Sequence, residues 1–193
     1  MKLIFAQGNP GQQYIATRHN VGFMALDSFA ESLSVPFSDK PKLKAQIAEG
    51  QVNGEKVLLA KPTTFYNETG QSARAIVDFY KFDPANDVLV IHDDIALPFG
   101  TLRVRDKGSD AGNNGIKSLN SHIGPDYWRL RIGIYSELRD RMHDADFVLG
   151  KFNSAEKKVL EAVILPHIKN VIDDFINKKA EASSLKIDIA QEP

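Results

Sequence analysis

The stretch KLIFAQGNPGQQYIATRHNVG, residues 2–22, predicts a buried strand followed by a long polar connection. The apolar run at 2–7 has strand character, and residues 21–33 have the periodicity of an amphipathic helix. A connection between a strand and a helix usually takes about two to six residues, so this one is unusually long. Asn9 and His19 lie near its two ends, and we interpret the connection as a carrier of function.

Strand and helix patterns alternate along the rest of the chain. Strands are predicted at 2–7, 44–51, 55–61, 87–92, 101–105 and 129–134. Helices are predicted at 21–33, 68–81, 114–123 and 154–178. The dipeptide Asn53-Gly54 is a strong hairpin signal between two of the strands. The alternation predicts one α/β domain over residues 1–193, a three-layer sandwich in which a twisted sheet of mixed parallel and antiparallel strands has helices on both faces.

Three segments interrupt this regular pattern. Residues 35–42 contain two prolines and predict a surface loop. Pro166 lies inside the last helical pattern and should kink or break that helix. The polar segment 180–193 is expected to fray.

The composition excludes several functional classes. The chain has 193 residues, a net charge of −1 and no cysteine. The lack of cysteine excludes disulfides, thiol catalysis and cysteine-ligated metals, and it is typical of a cytoplasmic protein. No apolar run is long enough to cross a membrane, and the N-terminus lacks the pattern of a signal peptide. Without an overall basic charge, binding of a polyanion would need a local positive patch.

His19 is the strongest candidate for a catalytic residue. A lone histidine is more often structural, but this one lies in a long polar connection directly before a helix. An imidazole there can act as a general base near neutral pH. Asp93, in the segment IHDDIALP at 91–98, would orient such a base by accepting a ring N–H. The alternative for this segment is a turn cap ahead of Pro98, which suits Asp94 equally well.

A metal site or a covalent nucleophile fits the sequence poorly. His92 and Asp93 point to opposite faces of a strand, and the chain has no HExxH pattern. No serine lies in a G-x-S-x-G pattern, so a covalent triad is not expected. Water is then the natural substrate of a His19 base, and amide side chains would polarise the carbonyl that water attacks. Asparagines at three junctions are available for this role, although each alone is also typical of a turn: Asn9, Asn67 and Asn114.

Arginines are frequent in the second half of the chain. Arg103 and Arg105 share one face of a predicted strand, and so do Arg129 and Arg131. Two such strands side by side would form a clamp for phosphate groups. The alternative interpretation is a solvated face of the sheet.

Six motifs occur in an order and spacing that resemble the bacterial peptidyl-tRNA hydrolase family. They are GNPGQQYIATRHNVG (8–22), KPTTFYNETGQS (61–72), IHDDIALPFG (91–100), GNNGIKSL (112–119), RLRIGI (129–134) and DFVLGKF (146–152). The resemblance runs from end to end and is strong to about residue 152.

This resemblance implies hydrolysis of the ester that links a peptide, or an N-blocked aminoacyl group, to the 3′ end of tRNA, which releases tRNA for translation. By similarity, His19 activates water, Asp93 orients His19, and Asn9 recognises the N-blocked end. Family positions that bind the peptide or the acceptor stem and 3′ end of tRNA correspond to Tyr14, Phe65, Asn67 and Asn114. Family positions that clamp phosphate correspond to Arg105 and Arg131. The resemblance also implies a cytoplasmic monomer with no metal and no cofactor.

The chain departs from the usual family pattern at several positions. These are Ala6, Gln7, Tyr66, Ala111, Asn113 and Tyr135. Tyr66 stands where methionine is common, and Asn113 stands where histidine is common, so either the field around Asp93 or the fit of the tRNA end is expected to change. A second hypothesis is therefore an RNA-binding module of the same fold that has lost turnover. The chain retains Asn9, His19 and Asp93, which favours the hydrolase.

Overall fold

The N-terminal apolar run forms β1 (Lys2–Ala6), which lies in the middle of a sheet. The computed structural model describes residues 1–189. The other strands in this range are β2 (Ser38–Lys40), β3 (Ala45–Val52), β4 (Glu55–Pro62), β5 (Val88–Pro98), β6 (Thr101–Arg105), β7 (Trp128–Tyr135) and β8 (Ser183–Lys186). Together they form one sheet in the order β2-β3-β4-β1-β5-β7-β6-β8. The central strands β4, β1, β5 and β7 are parallel and the outer pairs are antiparallel, so the predicted mixed sheet is confirmed.

The helices fill the connections between these strands. They are α1 (Val21–Ser32), α2 (Thr69–Tyr80), α3 (Pro84–Asp87), α4 (Asn114–Ile123), α5 (Asp144–Leu149), α6 (Ser154–Val159) and α7 (Leu165–Ile176). Short 3-10 turns lie at Gln12–Tyr14, Arg18–Asn20, Pro41–Leu43, Tyr66–Glu68 and Glu137–Arg141.

Two apolar clusters cover the two faces of the sheet. Successive side chains of a strand point to opposite faces, so Leu3 and Phe5 pack with the apolar side of α2 and α4. Ile4 and Ala6 pack with α1 and α7 on the other face. All four side chains are fully buried, as expected of a parallel strand that is covered on both faces. The predicted three-layer arrangement is therefore confirmed.

The C-terminal region differs from its predictions. The segment expected to fray at 180–193 contains β8, which pairs with β6, and Ile187 is buried in the core. Residues 190–193 lie outside the described part of the chain. Pro166 does not break the helix, because the backbone stays helical from α6 through a π-helical turn at Leu160–Ile164 into α7. Pro166 is the second residue of α7, so the hydrogen bond that proline cannot donate falls where the bonding pattern already changes.

Two strands also differ from the pattern. Ser38–Lys40 pair as an edge strand inside the segment predicted as a loop, and their exposed side chains carry no apolar signal. β5 continues past its predicted end, with a bulge between Asp94 and Pro98 where it pairs with β7. Gly133 makes room for this bulge, because a Cβ there would lie 2.1 Å from the carbonyl oxygen of Pro98.

Arg18 joins the polar connection to the C-terminal helices. Its buried guanidinium donates to the two carboxylate oxygens of Glu156 at 2.7 and 3.0 Å. The guanidinium carbon also lies 4.8 Å from the ring centroids of both Phe147 and Phe152. The backbone N–H of Arg18 donates to the carbonyl of Gly150 at 2.9 Å. The last third of the chain therefore helps to fix the position of His19, the residue that follows Arg18.

Glu156→Gln should destabilise the protein by about 3 kcal/mol, because it leaves the buried Arg18 guanidinium without a counter-charge. Glutamine can still close the capping box with Asn153 at the start of α6, so the helix itself is preserved. The measurement is the free energy of unfolding in urea. Glu161→Gln is the matched control, because its pair with Lys157 is exposed and should contribute about 0.5 kcal/mol or less. Equal losses in the two variants would contradict the anchoring role.

Candidate active site

The polar connection is closed by hydrogen bonds between its two ends. The backbone N–H of Asn9 donates to Oδ1 of Asn20 at 2.8 Å, and Nδ2 of Asn20 donates to the carbonyl of Asn9 at 2.9 Å. The chain turns at Gly11, whose φ of 111° lies in the left-handed region that favours glycine. This closure brings Asn9 next to the 3-10 turn that contains His19.

His19 meets Asp93 on β5. Nδ1 of His19 lies 2.9 Å from Oδ2 of Asp93. The Asp93 side chain is 3% exposed, whereas the His19 side chain is 17% exposed. A carboxylate that accepts the Nδ1 proton leaves the lone pair on Nε2. Within residues 1–189, Nε2 has no hydrogen-bond partner, so it is available to a water molecule.

Tyr66 contacts both His19 and Asp93. Its hydroxyl donates to Oδ1 of Asp93 at 2.5 Å, and its ring stacks on His19 with centroids 3.5 Å apart and planes 15° apart. Nδ2 of Asn113 donates to the Tyr66 hydroxyl at 3.0 Å. Gly115 makes room for the ring, because a Cβ there would lie 2.4 Å from Cε1 of Tyr66.

These partners shift the pKa values of the buried groups. Burial raises the pKa of Asp93, but the charge of His19 and the hydrogen bonds from His19 and Tyr66 outweigh burial and lower that pKa overall. Burial, followed by the charge of Asp93, raises the pKa of Tyr66 well above its ordinary value. At neutral pH, Asp93 is therefore a carboxylate and Tyr66 is a neutral donor.

Asn9 turns the donor end of its amide toward the cleft. Its Oδ1 accepts from the backbone N–H of Tyr66 at 2.9 Å, which occupies the oxygen end. Its Nδ2 donates to no group in the described residues 1–189. The Asn9 amide is thus held by the backbone of Tyr66, the residue that stacks on His19. Its neutral Nδ2 donor suits a substrate carbonyl.

The predicted substrate-binding residues are spread around this centre. Asn67 and Asn114 line one open cavity of about 480 Å³, together with Lys117. Phe65 is 55% exposed and directly precedes Tyr66 in the chain. Tyr14 is half-buried in the 3-10 turn of the polar connection. The two asparagines thus share a surface, and Phe65 offers a ring to solvent.

The arginines have protein partners. β6 and β7 are neighbours, as the clamp requires, but Nε of Arg131 donates to Oδ2 of Asp94 at 2.6 Å. Arg105 donates to the carbonyl of Ser183 on β8 at 2.9 Å. Arg129 is buried and donates to carbonyls of the loops around it. Arg105 and Arg131 are half-buried, and their contact with phosphate stays a prediction.

Sequence reasoning missed the residues that hold others in place. Asn20 is visible only as part of the polar density of the connection, and its role as a clasp needs the closed loop. Tyr66 and Asn113 are visible as departures from a pattern, but their contact with each other is not. The turn alternative is correct for Asp94, whose Oδ1 accepts from the N–H of Ala96 at 2.9 Å.

Comparison with known proteins gives the family. The model of the peptidyl-tRNA hydrolase family matches residues 3–192. The chain belongs to the peptidyl-tRNA hydrolase family. It is 42% identical over 177 residues to the peptidyl-tRNA hydrolase of Fusobacterium nucleatum, covering 92% of this chain and 90% of that protein. It is 47% identical over 157 residues to the peptidyl-tRNA hydrolase of Lactiplantibacillus plantarum, covering 81% of this chain and 83% of that protein.

Solved structures of the peptidyl-tRNA hydrolase family share the fold. The crystal structure of peptidyl-tRNA hydrolase from Acinetobacter baumannii superimposes with a TM-score of 0.84 at 31% identity, over 93% of this chain and 90% of that one. The predicted fold class is confirmed. In the part of the chain that the structure describes, no helix has the length and apolar character needed to cross a membrane.

The buried His92 should make the protein sensitive to acid. Its Nδ1 donates to the carbonyl of Asp93 at 2.8 Å, and burial lowers its pKa to about 4. In the unfolded chain its pKa is about 6.5, so between these values the unfolded state binds more protons and stability is lost as pH falls. The loss is expected to reach about 3 kcal/mol once the pH is below both values.

Urea unfolding at neutral pH and at about pH 4.5 tests this expectation, because that interval spans most of the shift. His92→Asn keeps a donor at the position of Nδ1 for the backbone carbonyl but removes the titration, so it should lose about 2 kcal/mol less than the wild type. His143→Gln removes an exposed histidine and should follow the wild type. An equal loss of stability in His92→Asn and in the wild type would contradict the assignment to His92.

Proposed function

We propose that this protein hydrolyses the ester bond of peptidyl-tRNA with a water molecule that His19 activates. The hydrogen bond of 2.9 Å between Nδ1 of His19 and the buried Asp93 carries this proposal. The bond supports a tautomer in which Nε2 takes a proton from water as the oxygen attacks the ester carbonyl. Asp93 then stabilises the imidazolium that forms, and the proton passes from Nε2 to the departing 3′ oxygen of the ribose.

Asn9 supplies the polarising donor in this proposal. Its Nδ2 faces away from the occupied Oδ1 and donates to a carbonyl of the N-blocked peptide. A free aminoacyl-tRNA carries a positively charged amine in place of that blocked amide, so a neutral donor disfavours it. The same amide thus contributes to both rate and selection of N-blocked substrates.

The tRNA portion of the substrate is assigned to the surrounding surface. Phe65 offers an exposed ring on which a base of the 3′ end stacks. The cavity of Asn67 and Asn114 accepts the adjoining peptide or ribose, with Tyr14 at the polar connection. Arg105 and Arg131 receive phosphates of the acceptor stem. We further propose that the protein acts in the cytoplasm as a monomer, as the family resemblance implies.

His19→Ala should lower single-turnover hydrolysis of N-acetyl-aminoacyl-tRNA by about 100- to 10,000-fold, because the general base is lost. Binding of tRNA should persist, because His19 carries none of the phosphate contacts. Asn9→Ala should lower hydrolysis and also narrow the difference between blocked and unblocked aminoacyl-tRNA. A chelator should change none of these rates.

The two hypotheses give different results in this assay. A hydrolase cleaves the blocked form quickly and loses the activity in His19→Ala. An RNA-binding module binds tRNA without cleavage in the wild type. Unchanged hydrolysis in His19→Ala would overturn the assignment of the base.

Arg131→Gln should reduce the salt dependence of tRNA binding. If Arg131 contacts a phosphate, the slope of log affinity against log salt should fall by about one unit. Binding is measured by fluorescence titration over a series of salt concentrations. Lys56→Gln is the control, because Lys56 is exposed at the start of β4, and the connection that carries His19 leaves the other end of the parallel strand β1. Identical slopes for Arg131→Gln, Lys56→Gln and wild type would remove Arg131 from the clamp.

A further inference from the structure

A chain of hydrogen bonds runs from the start of α4 to the ring of His19. Oδ1 of Asn113 accepts from the backbone N–H of Ile116 at 3.0 Å, which caps the helix and fixes the orientation of the amide. Its Nδ2 must then act as the donor to the Tyr66 hydroxyl at 3.0 Å. The hydroxyl donates a hydrogen bond to Oδ1 of Asp93, while Oδ2 of Asp93 faces Nδ1 of His19.

These contacts fix the donor and the acceptor of each hydrogen bond from Asn113 to His19. With its oxygen accepting from Asn113, the Tyr66 hydroxyl has Asp93 as its acceptor. Each carboxylate oxygen of Asp93 then carries one donor, so the carboxylate is held from two sides. The stacked ring of Tyr66 also limits rotation of the His19 ring about its own axis. The two positions at which the sequence departs from the family pattern beside the cleft, Tyr66 and Asn113, are thus consecutive links of one chain.

We propose that Tyr66, held by Asn113, is a positioning residue that sets the orientation and the basicity of His19 through Asp93. This inference rests on the proposed function, because it concerns the same base. The Tyr66 hydroxyl shares the negative charge of Asp93, so less of that charge acts on His19. Removal of the hydroxyl leaves the whole charge of Asp93 facing His19 and favours the imidazolium.

The other ionisable groups near His19 and Asp93 are either neutral or paired with an opposite charge. His92 lies beside Asp93 on β5 and is neutral at neutral pH, because burial lowers its pKa. Asp94 forms an ion pair with Arg131 from β7 at 2.5 Å. From the polar connection, Arg18 is paired with Glu156 of α6 at 2.7 Å.

With these pairs closed, Asp93 is the carboxylate that acts on His19, and the Tyr66 hydroxyl is the group that modulates it. Burial keeps the Tyr66 hydroxyl protonated, because it raises the pKa well above its ordinary value. The hydroxyl should therefore remain a donor to Asp93 throughout the pH range of the activity measurements.

Tyr66→Phe is the central variant, because it keeps the stacked ring and removes only the hydroxyl. Its kcat should fall about 10-fold, the scale of one hydrogen bond to a charged group. The acidic limb of its kcat/KM profile should move to higher pH, because the full charge of Asp93 then faces His19. Asn113→Ser keeps a capping oxygen for α4 but does not reach Tyr66, so it should shift the limb in the same direction by less.

A double variant and a matched control separate positioning from general damage. If Asn113 acts through the Tyr66 hydroxyl, the variant that combines Tyr66→Phe with Asn113→Ser should have the same kcat as Tyr66→Phe alone. Tyr127→Phe also removes a hydroxyl from a buried tyrosine, where it donates to Asn120 at 2.8 Å. It should leave kcat and the pH profile unchanged.

The resonance of the His19 Nδ1 proton is a second measurement that needs no substrate. It should shift in Tyr66→Phe and in Asn113→Ser, but not in Tyr127→Phe. A pH profile and a resonance in Tyr66→Phe that match those of wild type would overturn the proposal while His19→Ala remains inactive. If the wild type does not cleave peptidyl-tRNA, the proposed function fails, and the resonance alone still decides whether Tyr66 acts on His19.

Discussion

The buried carboxylate of Asp93 is the constraint around which the centre is organised. A carboxylate with so little exposure is costly unless its oxygens receive donors, and here His19 and Tyr66 supply one to each oxygen. The two donors stack on one another, so neither moves without disturbing the other. β5 supplies the rigid base for this arrangement, because it is flanked by parallel neighbours on both sides. The placement of the base, its tautomer and the packing of the cleft all follow from satisfying one buried charge.

The polar connection after β1 remains ordered because both of its ends are tied. Asn9 and Asn20 exchange hydrogen bonds, which satisfies backbone groups that a strand or helix would otherwise satisfy. Arg18 ties the same turn to Glu156, far away in the sequence. The C-terminal helices therefore contribute to the position of His19, and their stability and the geometry of the base are linked.

Much of the fold and the centre of the site could be predicted from local patterns. Alternating apolar runs report burial on two faces, so the central strands and the four helical regions follow from periodicity. The length of the connection and the residue types in it lead to His19 and Asn9. β8 escaped because its four residues are exposed and polar, and it exists through pairing with β6. The continuous helix across Pro166 was not predicted, because no residue pattern in the sequence indicates the π-helical turn that precedes it.

The sequence by itself determined the mixed α/β sandwich, the family, and a set of candidate residues in which His19, Asp93 and Asn9 lead. It did so because burial periodicity and motif spacing are local properties of the chain. Only the tertiary structure decided that Tyr66 donates to Asp93 and that Asn113 donates to Tyr66. It also decided that Arg131 is paired with Asp94. These contacts are made across separate strands and helices, and hydrogen-bond direction depends on where each side chain ends in space.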